Sequence, residues 1–268
     1  MKPVKVLCIG GSDTSGGAGI QADLKVVSVC GCWGTSVITA VTAQNTKGVS
    51  GIFPVSPEFV GKQIDVVLSD IGVDAVKTGM LPTEEIIQMV ARKIKKYNLK
   101  KVVIDPVMIA KGGKTLMQQK ARKALIKELI PLASVITPNI PEADILSKMN
   151  ITSIADMKKA AAKIYELGVR NVLIKGGHLA GARKSDVTDV LYNGSYYEFS
   201  SKRITLKDIH GTGCTYASAL AAGIAGGDNI INAALKAKIL IASAIKYAVK
   251  PGKGYSSANV FGALFKRT

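Results

Sequence analysis

The 268-residue chain has only two histidines, one tryptophan and four cysteines. With His178 and His210 as its whole stock of imidazole, a His-rich metal centre is excluded. Cys8, Cys30, Cys32 and Cys214 are too few for a disulfide framework in a chain this long, and Cys30-Gly31-Cys32 lacks the two-residue spacing of a zinc knuckle. No apolar run approaches the roughly 20 residues that cross a bilayer. Val4 to Ile9 is too short for a signal-peptide core. The expectation is therefore a cytoplasmic protein with no membrane partner. Aromatic residues make up 5% and are not interleaved with basic ones, which argues against a single-strand nucleic-acid binder. There is no Gly-Lys-Ser/Thr to close a Walker loop and no Gly-x-Ser-x-Gly elbow to support a hydrolase triad.

What is abundant is positive charge and short apolar runs. Thirty-six Lys and Arg against nineteen Asp and Glu give a formal charge of +17, which draws in polyanions such as nucleotides without selecting one. Much of that charge lies on solvated helix faces such as "ARKIKKYNLKK". The runs "VKVLCIGG", "TSVITAVTAQ", "VDAVKTGM", "KVVIDPVM", "SVITPN" and "NVLIKGG" are short, apolar and rich in β-branched residues, the pattern of buried parallel strands. Amphipathic stretches separate them: in "TEEIIQMVARKIKKYN", Ile86, Val90 and Ile94 recur at helical spacing. Asn193-Gly194 between two β-rich runs predicts an antiparallel hairpin at one edge. Two alanine-rich helices are expected from about Thr212 to Ala225 and from Asn229 to Val249. The alternation implies one three-layer α/β/α domain over 1–268, with a mostly parallel central sheet and ligands at the carboxyl ends of its strands.

Chemistry concentrates at those strand ends. "GGSDTSGGAGIQAD" packs five glycines into its first ten residues, between a strand and a helix. Gly17 to Ala22 meets a relaxed dinucleotide pattern, but a polar loop separates it from the strand and no acid ends the second strand. The loop reads instead as backbone brought close to a ligand, with Asp23 one turn into the helix to accept a hydrogen bond. Asp105, Asn139 and Glu142 each follow a strand. Singly they read as a turn residue and helix caps; together on one rim they can hold Mg²⁺ through water and substrate phosphates. Lys175 in "IKGG" ends another strand and can pair with a phosphate. In "HGTGCT", the backbone N–H groups of Gly211, Thr212 and Gly213 can stabilise a phosphoryl group in flight. Cys214 beside them reads as a general base or nucleophile, its thiolate favoured by the helix start, or as an inert buried thiol.

Taken in order, "GSDTSGGAGIQADLK", "ITAVTAQNTKGV", "VDAVKTGML", "VVIDPVM", "ITPNIPEA", "LIKGGH" and "HGTGCT" cover nearly the whole chain. They resemble the hydroxymethylpyrimidine/phosphomethylpyrimidine kinases of thiamine biosynthesis, within the ribokinase-like superfamily. The resemblance implies a ribokinase-like fold and ATP- and Mg²⁺-dependent phosphorylation of 4-amino-5-hydroxymethyl-2-methylpyrimidine, then of its monophosphate. It also implies a homodimer. Matched motif by motif, it implies that Gly11, Asp23 and Gln44 contact the pyrimidine, with Met80 and Val107 lining its pocket. Asp105 and Glu142 would organise the metal, and Asn139 and Lys175 the ATP phosphates. Gly211, Thr212 and Gly213 would form the anion hole. Cys214 stands where most of the superfamily has an aspartate base. Position 44 is glutamine where some relatives have glutamate, and an amide both donates and accepts. A related group phosphorylates pyridoxine, pyridoxal or pyridoxamine, so a B6-vitamer kinase is the alternative. A nucleic-acid-binding regulator on a degenerate kinase scaffold is the remaining one.

Overall fold

A computed structural model of the chain describes residues 2–109, 115–179, 186–204 and 209–262. Its centre is a nine-stranded sheet: β1 (Lys5–Asp13), β2 (Trp33–Asn45), β3 (Gly48–Pro54), β4 (Ala75–Thr78), β5 (Val102–Ile104), β6 (Val135–Ile136), β7 (Val172–Ile174), β8 (Asp186–Tyr192) and β9 (Tyr196–Lys202). The order across the sheet is β3-β2-β1-β4-β5-β6-β7-β8-β9. The six strands from β2 to β7 are parallel, and antiparallel pairs close both edges. The Asn193-Gly194 hairpin joins β8 to β9 as the sequence predicts, with Gly194 at φ +101°. The other edge hairpin, β2 to β3, is not expected from sequence. "GVSGIFP" carries two glycines and a terminal proline and shows no clear two-residue apolar period.

Alternation along the central strands explains the layers. Val6, Cys8 and Ala75 point to one face, where α1 (Gly19–Val29), α7 (Thr212–Ala225) and α8 (Ile230–Lys246) pack. Leu7, Ile9 and Val76 point to the other, against α2 (Pro57–Asp70), α3 (Glu84–Lys96), α4 (Gln119–Ala124), α5 (Ile140–Ser147) and α6 (Ile154–Tyr165). The result is a three-layer α/β/α architecture with a separate apolar core on each side of the sheet. Helix starts follow their capping residues: Ser56, Thr83, Ser153 and Asn229 each accept from the backbone N–H three residues on. Gly168, at φ +97°, follows α6 as its stop. No helix of the described residues is long and apolar enough to cross a membrane.

This topology fixes where a ligand can enter. From β1 the chain crosses to β2 on one side, while β4 to β7 extend on the other, so the crossovers part beside β1. A crevice opens there, outside the carboxyl ends of the strands. The register of β1 against β2 slips between Gly10 and Gly11, at that same rim.

Candidate active site

A cavity of about 310 Å³ occupies the crevice, and every site residue expected from the sequence lines it. Gly11 and Met80 come from the ends of β1 and β4, Gln44 from the end of β2, Asp105 and Val107 from beyond β5, Asn139 and Glu142 from the start of α5, and Lys175 from the end of β7. Gly211 to Cys214 form the first turn of α7.

At that turn Gly211 has φ +81°, and a Cβ there would overlap the Gly17 carbonyl oxygen, so only glycine lets the two loops meet. The early N–H groups of α7 have no intrahelical acceptor, and no side chain caps them. Gly213 lies beside a charged pair: a Cβ on it would stand 3.4 Å from Lys175 Nζ and 3.5 Å from Asp105 Oδ2. Lys175 donates to Asp105 Oδ1 at 2.8 Å. Burial alone would lower the Lys175 pKa, but Asp105 and Glu142 hold it above its ordinary value, so it is an ammonium. Anion-seeking N–H groups and a fixed positive charge therefore share one wall of the cavity.

Asn139 and Glu142 do what the simpler reading of the sequence expected: they form a reciprocal capping box on α5. Glu142 N donates to Asn139 Oδ1, and Asn139 N to Glu142 Oε2, both at 2.9 Å. That does not remove them from the cavity. Burial pushes the Glu142 carboxyl up to about 7, with Lys175 pulling it down and Asp105 adding to the rise. Among the described residues no three His, Cys, Asp or Glu side chains are grouped to hold a metal ion. The pair Asp105 and Glu142 still fits a hard cation that brings water and phosphate oxygens as its other ligands. The fit is chemical: a buried carboxyl held partly protonated beside a second carboxylate gains from an added positive charge.

One correction concerns Cys214, and Asp23 is already engaged within the protein. Asp23 lines the cavity, but its side chain is buried and both oxygens accept from Lys77 Nζ at 2.8 Å. Ser218 Oγ donates to Asp23 Oδ1, also at 2.8 Å. Asp23 thus ties α1 to β4 and α7 under the cavity floor. Burial alone would lower the Lys77 pKa, but Asp23 keeps it above its ordinary value, so Lys77 is charged. Cys214 was expected to be favoured as thiolate by the helix start. Burial instead pushes its thiol up to about 12. Lys77 and the Gly19 backbone N–H pull it down; Asp23 and Asp105 push it further up. In the free protein Cys214 is a thiol, because desolvation outweighs the helix terminus.

Three residues that the sequence reading did not assign complete the site. Lys77 is one, a lone lysine inside the apolar run "DAVKTGM", and that placement was the available signal. Asp13 and His210 are the others. Asp13 gathers the glycine loop, accepting from Ser15 N and Ala18 N at 2.8 Å and from His210 Nε2 at 3.0 Å. Burial would raise its pKa, but the bonds from His210, Ser15 and Ala18 win and bring it down to about 2. Thr14 Oγ1 accepts from Gln44 N at 2.9 Å and donates to Gln44 O at 2.6 Å, which pins the end of β2 to this loop.

Residues 13–259 match the family described as phosphomethylpyrimidine kinase. The chain is 45% identical over 268 residues to the hydroxymethylpyrimidine/phosphomethylpyrimidine kinase of Bacillus subtilis, covering 100% of this chain and 97% of that one. It is 50% identical over 255 residues to a thiamine biosynthesis bifunctional protein of Geobacter sulfurreducens. That match takes in 95% of this chain but 51% of the relative, so the chain spans about half its length. A solved ADP complex of Bacillus subtilis pyridoxal kinase superposes with a TM-score of 0.91 at 38% identity, over 98% of this chain and 100% of that chain.

Proposed function

The chain belongs to the phosphomethylpyrimidine kinase family, and from that membership we propose that it transfers the γ-phosphoryl group of ATP to 4-amino-5-hydroxymethyl-2-methylpyrimidine and then to the resulting monophosphate. The observation that carries this reading is the wall where the first turn of α7, Lys175, Asp105 and Cys214 meet. An acceptor oxygen and a phosphoryl group can lie there together, beside Cys214 and the anion-seeking N–H groups. ATP phosphates would take the Lys175 side, and the pyrimidine the side of Gly11, Gln44, Met80 and Val107. Mg²⁺, which Asp105 and Glu142 would hold through its water and phosphate ligands, neutralises charge on the phosphates when bound. Gly211, Thr212 and Gly213 donate N–H groups to the oxygens of the transferring group. The acceptor hydroxyl must lose its proton, and Cys214 Sγ takes it as base once the thiol has released its own proton to solvent and stands as thiolate. The charge of Lys77 lies behind the thiol, and it is what keeps a thiolate within reach at all.

The likeness to a pyridoxal kinase structure favours a second reading, phosphorylation of B6 vitamers in the same cavity. Product analysis with MgATP separates the two. Mono- and diphosphate from hydroxymethylpyrimidine are expected. Their absence alongside efficient pyridoxal phosphorylation would overturn the first reading.

A further inference from the structure

His210 does more than precede the glycine turn. Its ring lies over Gly17, where an added Cβ would come within 2.8 Å of ring carbon Cδ2, and its backbone is fixed by bonds to Ser256 O at 2.7 Å and from Ala258 N at 3.1 Å. From that anchored position a single atom, Nε2, faces two partners: Asp13 Oδ2 at 3.0 Å and the end of the Gln44 amide at 2.9 Å.

The proton on Nε2 is decided by Asp13. That carboxylate also accepts from Ser15 N and Ala18 N, so its oxygens act as acceptors, and a bare imidazole lone pair 3.0 Å from Oδ2 would be repelled. Nε2 therefore carries hydrogen. Placed with its nitrogen toward His210, the Gln44 amide would set donor against donor. Turned by half a rotation it presents oxygen, which shares the Nε2 hydrogen. The other end of the amide meets Thr42 Oγ1 at 3.3 Å. Thr42 spends its own proton on Ser12 O at 2.9 Å, so Thr42 Oγ1 is left to accept, which suits the amide nitrogen. Both contacts select the same rotation. They leave Gln44, which lines the cavity, with one further oxygen lone pair and one further N–H to offer a ligand. That is the complement of an amino group next to a ring nitrogen. A pyridine ring bearing an oxygen substituent has no such amino donor.

We infer that His210 is a positioning residue of the acceptor pocket, fixing the rotation of the Gln44 amide so that the pocket prefers an aminopyrimidine edge. The inference rests on the reading that Gln44 meets the acceptor. A double-mutant cycle on KM tests it, using hydroxymethylpyrimidine and MgATP with wild type, His210→Ala, Gln44→Ala and the double variant. Each single change should raise the pyrimidine KM about tenfold, the cost of one good hydrogen bond. The double change should be no worse than Gln44→Ala. The KM for ATP should stay within about twofold in all of them. His210→Gln, which restores an N–H at similar reach, should recover most of the loss. If the two factors multiply to about a hundredfold, or if ATP and pyrimidine suffer alike, His210 does not act through Gln44 and the inference is overturned alone. An unchanged pyrimidine KM in Gln44→Ala overturns the acceptor-site reading and the inference together. Should His210→Ala fail to fold, Thr42→Val probes the opposite contact. A raised pyrimidine KM with unchanged ATP KM supports the inference, and an unchanged one overturns it.

Discussion

Two buried lysine–aspartate pairs stitch this fold together, and they do different work. Lys77 and Asp23 join β4 to α1 under the cavity, with Ser218 of α7 as a third partner. Lys238 and Asp189 join α8 to β8 at 2.8 Å on the far side of the sheet from α5 and α6. Both pairs are almost wholly shielded from water. Lys77 spends its charge on one carboxylate and on the electrostatics of Cys214 beside it. Lys238 shares Asp189 with the backbone, since Asp189 Oδ1 accepts from Gly176 N at 2.8 Å, one residue past Lys175. The first pair sets the charge around Cys214, the proposed base. The second sets the path of the loop beside Lys175, the proposed phosphate partner. Identical chemistry thus acquires its role from what stands next to it.

The comparison breaks most readily at Lys77. Lys77→Met leaves a buried, unpaired carboxylate and should cost about 3 to 5 kcal/mol of stability. It should also slow phosphoryl transfer about tenfold or more, because the cation that favours the Cys214 thiolate is gone. Removing both charges, as Lys77→Met with Asp23→Leu, should restore much of the stability and, because Asp23 itself pushes the Cys214 thiol up, part of the rate. Denaturant melts and single-turnover rates read the two effects separately. An unchanged rate in folded Lys77→Met would show that Lys77 acts on folding alone.

The pH dependence of the rate sharpens the same point. A thiol raised to about 12 loses its proton more readily as pH climbs, and far below that value each unit multiplies the thiolate tenfold. The profile of kcat/KM, which reports the free enzyme, should therefore rise from pH 7 to pH 9. A flat profile would mean that the proton leaves by another route or after the slow step.

The smallest effect is expected at Lys238. Lys238→Met should destabilise by about 2 to 4 kcal/mol, since the Gly176 N–H still satisfies part of Asp189. Through the loop bearing Lys175 it should raise the KM for ATP a few-fold, a modest loss of uniform binding, while kcat at saturation holds. A fall in kcat as large as that of Lys77→Met would erase the distinction between the pairs.

Local patterns carried the architecture and the site's membership, while long-range pairings were out of their reach. Apolar runs, caps and the Asn193-Gly194 turn are written in neighbouring residues, and the strand-end rule places Asp105, Asn139, Glu142 and Lys175 on one rim. Asp23 and Lys77 lie 54 residues apart, and Asp13 and His210 lie 197 apart, so neither pairing shows in any sequence window. For Cys214 the favourable helix start is local and legible. The desolvation that outweighs it depends on which elements cover the thiol, and that is known only once the chain is folded.

Single-turnover transfer by folded Cys214→Ala, with hydroxymethylpyrimidine and MgATP both saturating, tests the central claim most directly. Loss of a general base predicts a rate lower by roughly 10² to 10⁴, with ligand affinities nearly intact. A rate within about threefold of wild type, far short of the loss a general base entails, would contradict the account and leave Cys214 as a packing residue at the floor of the cavity.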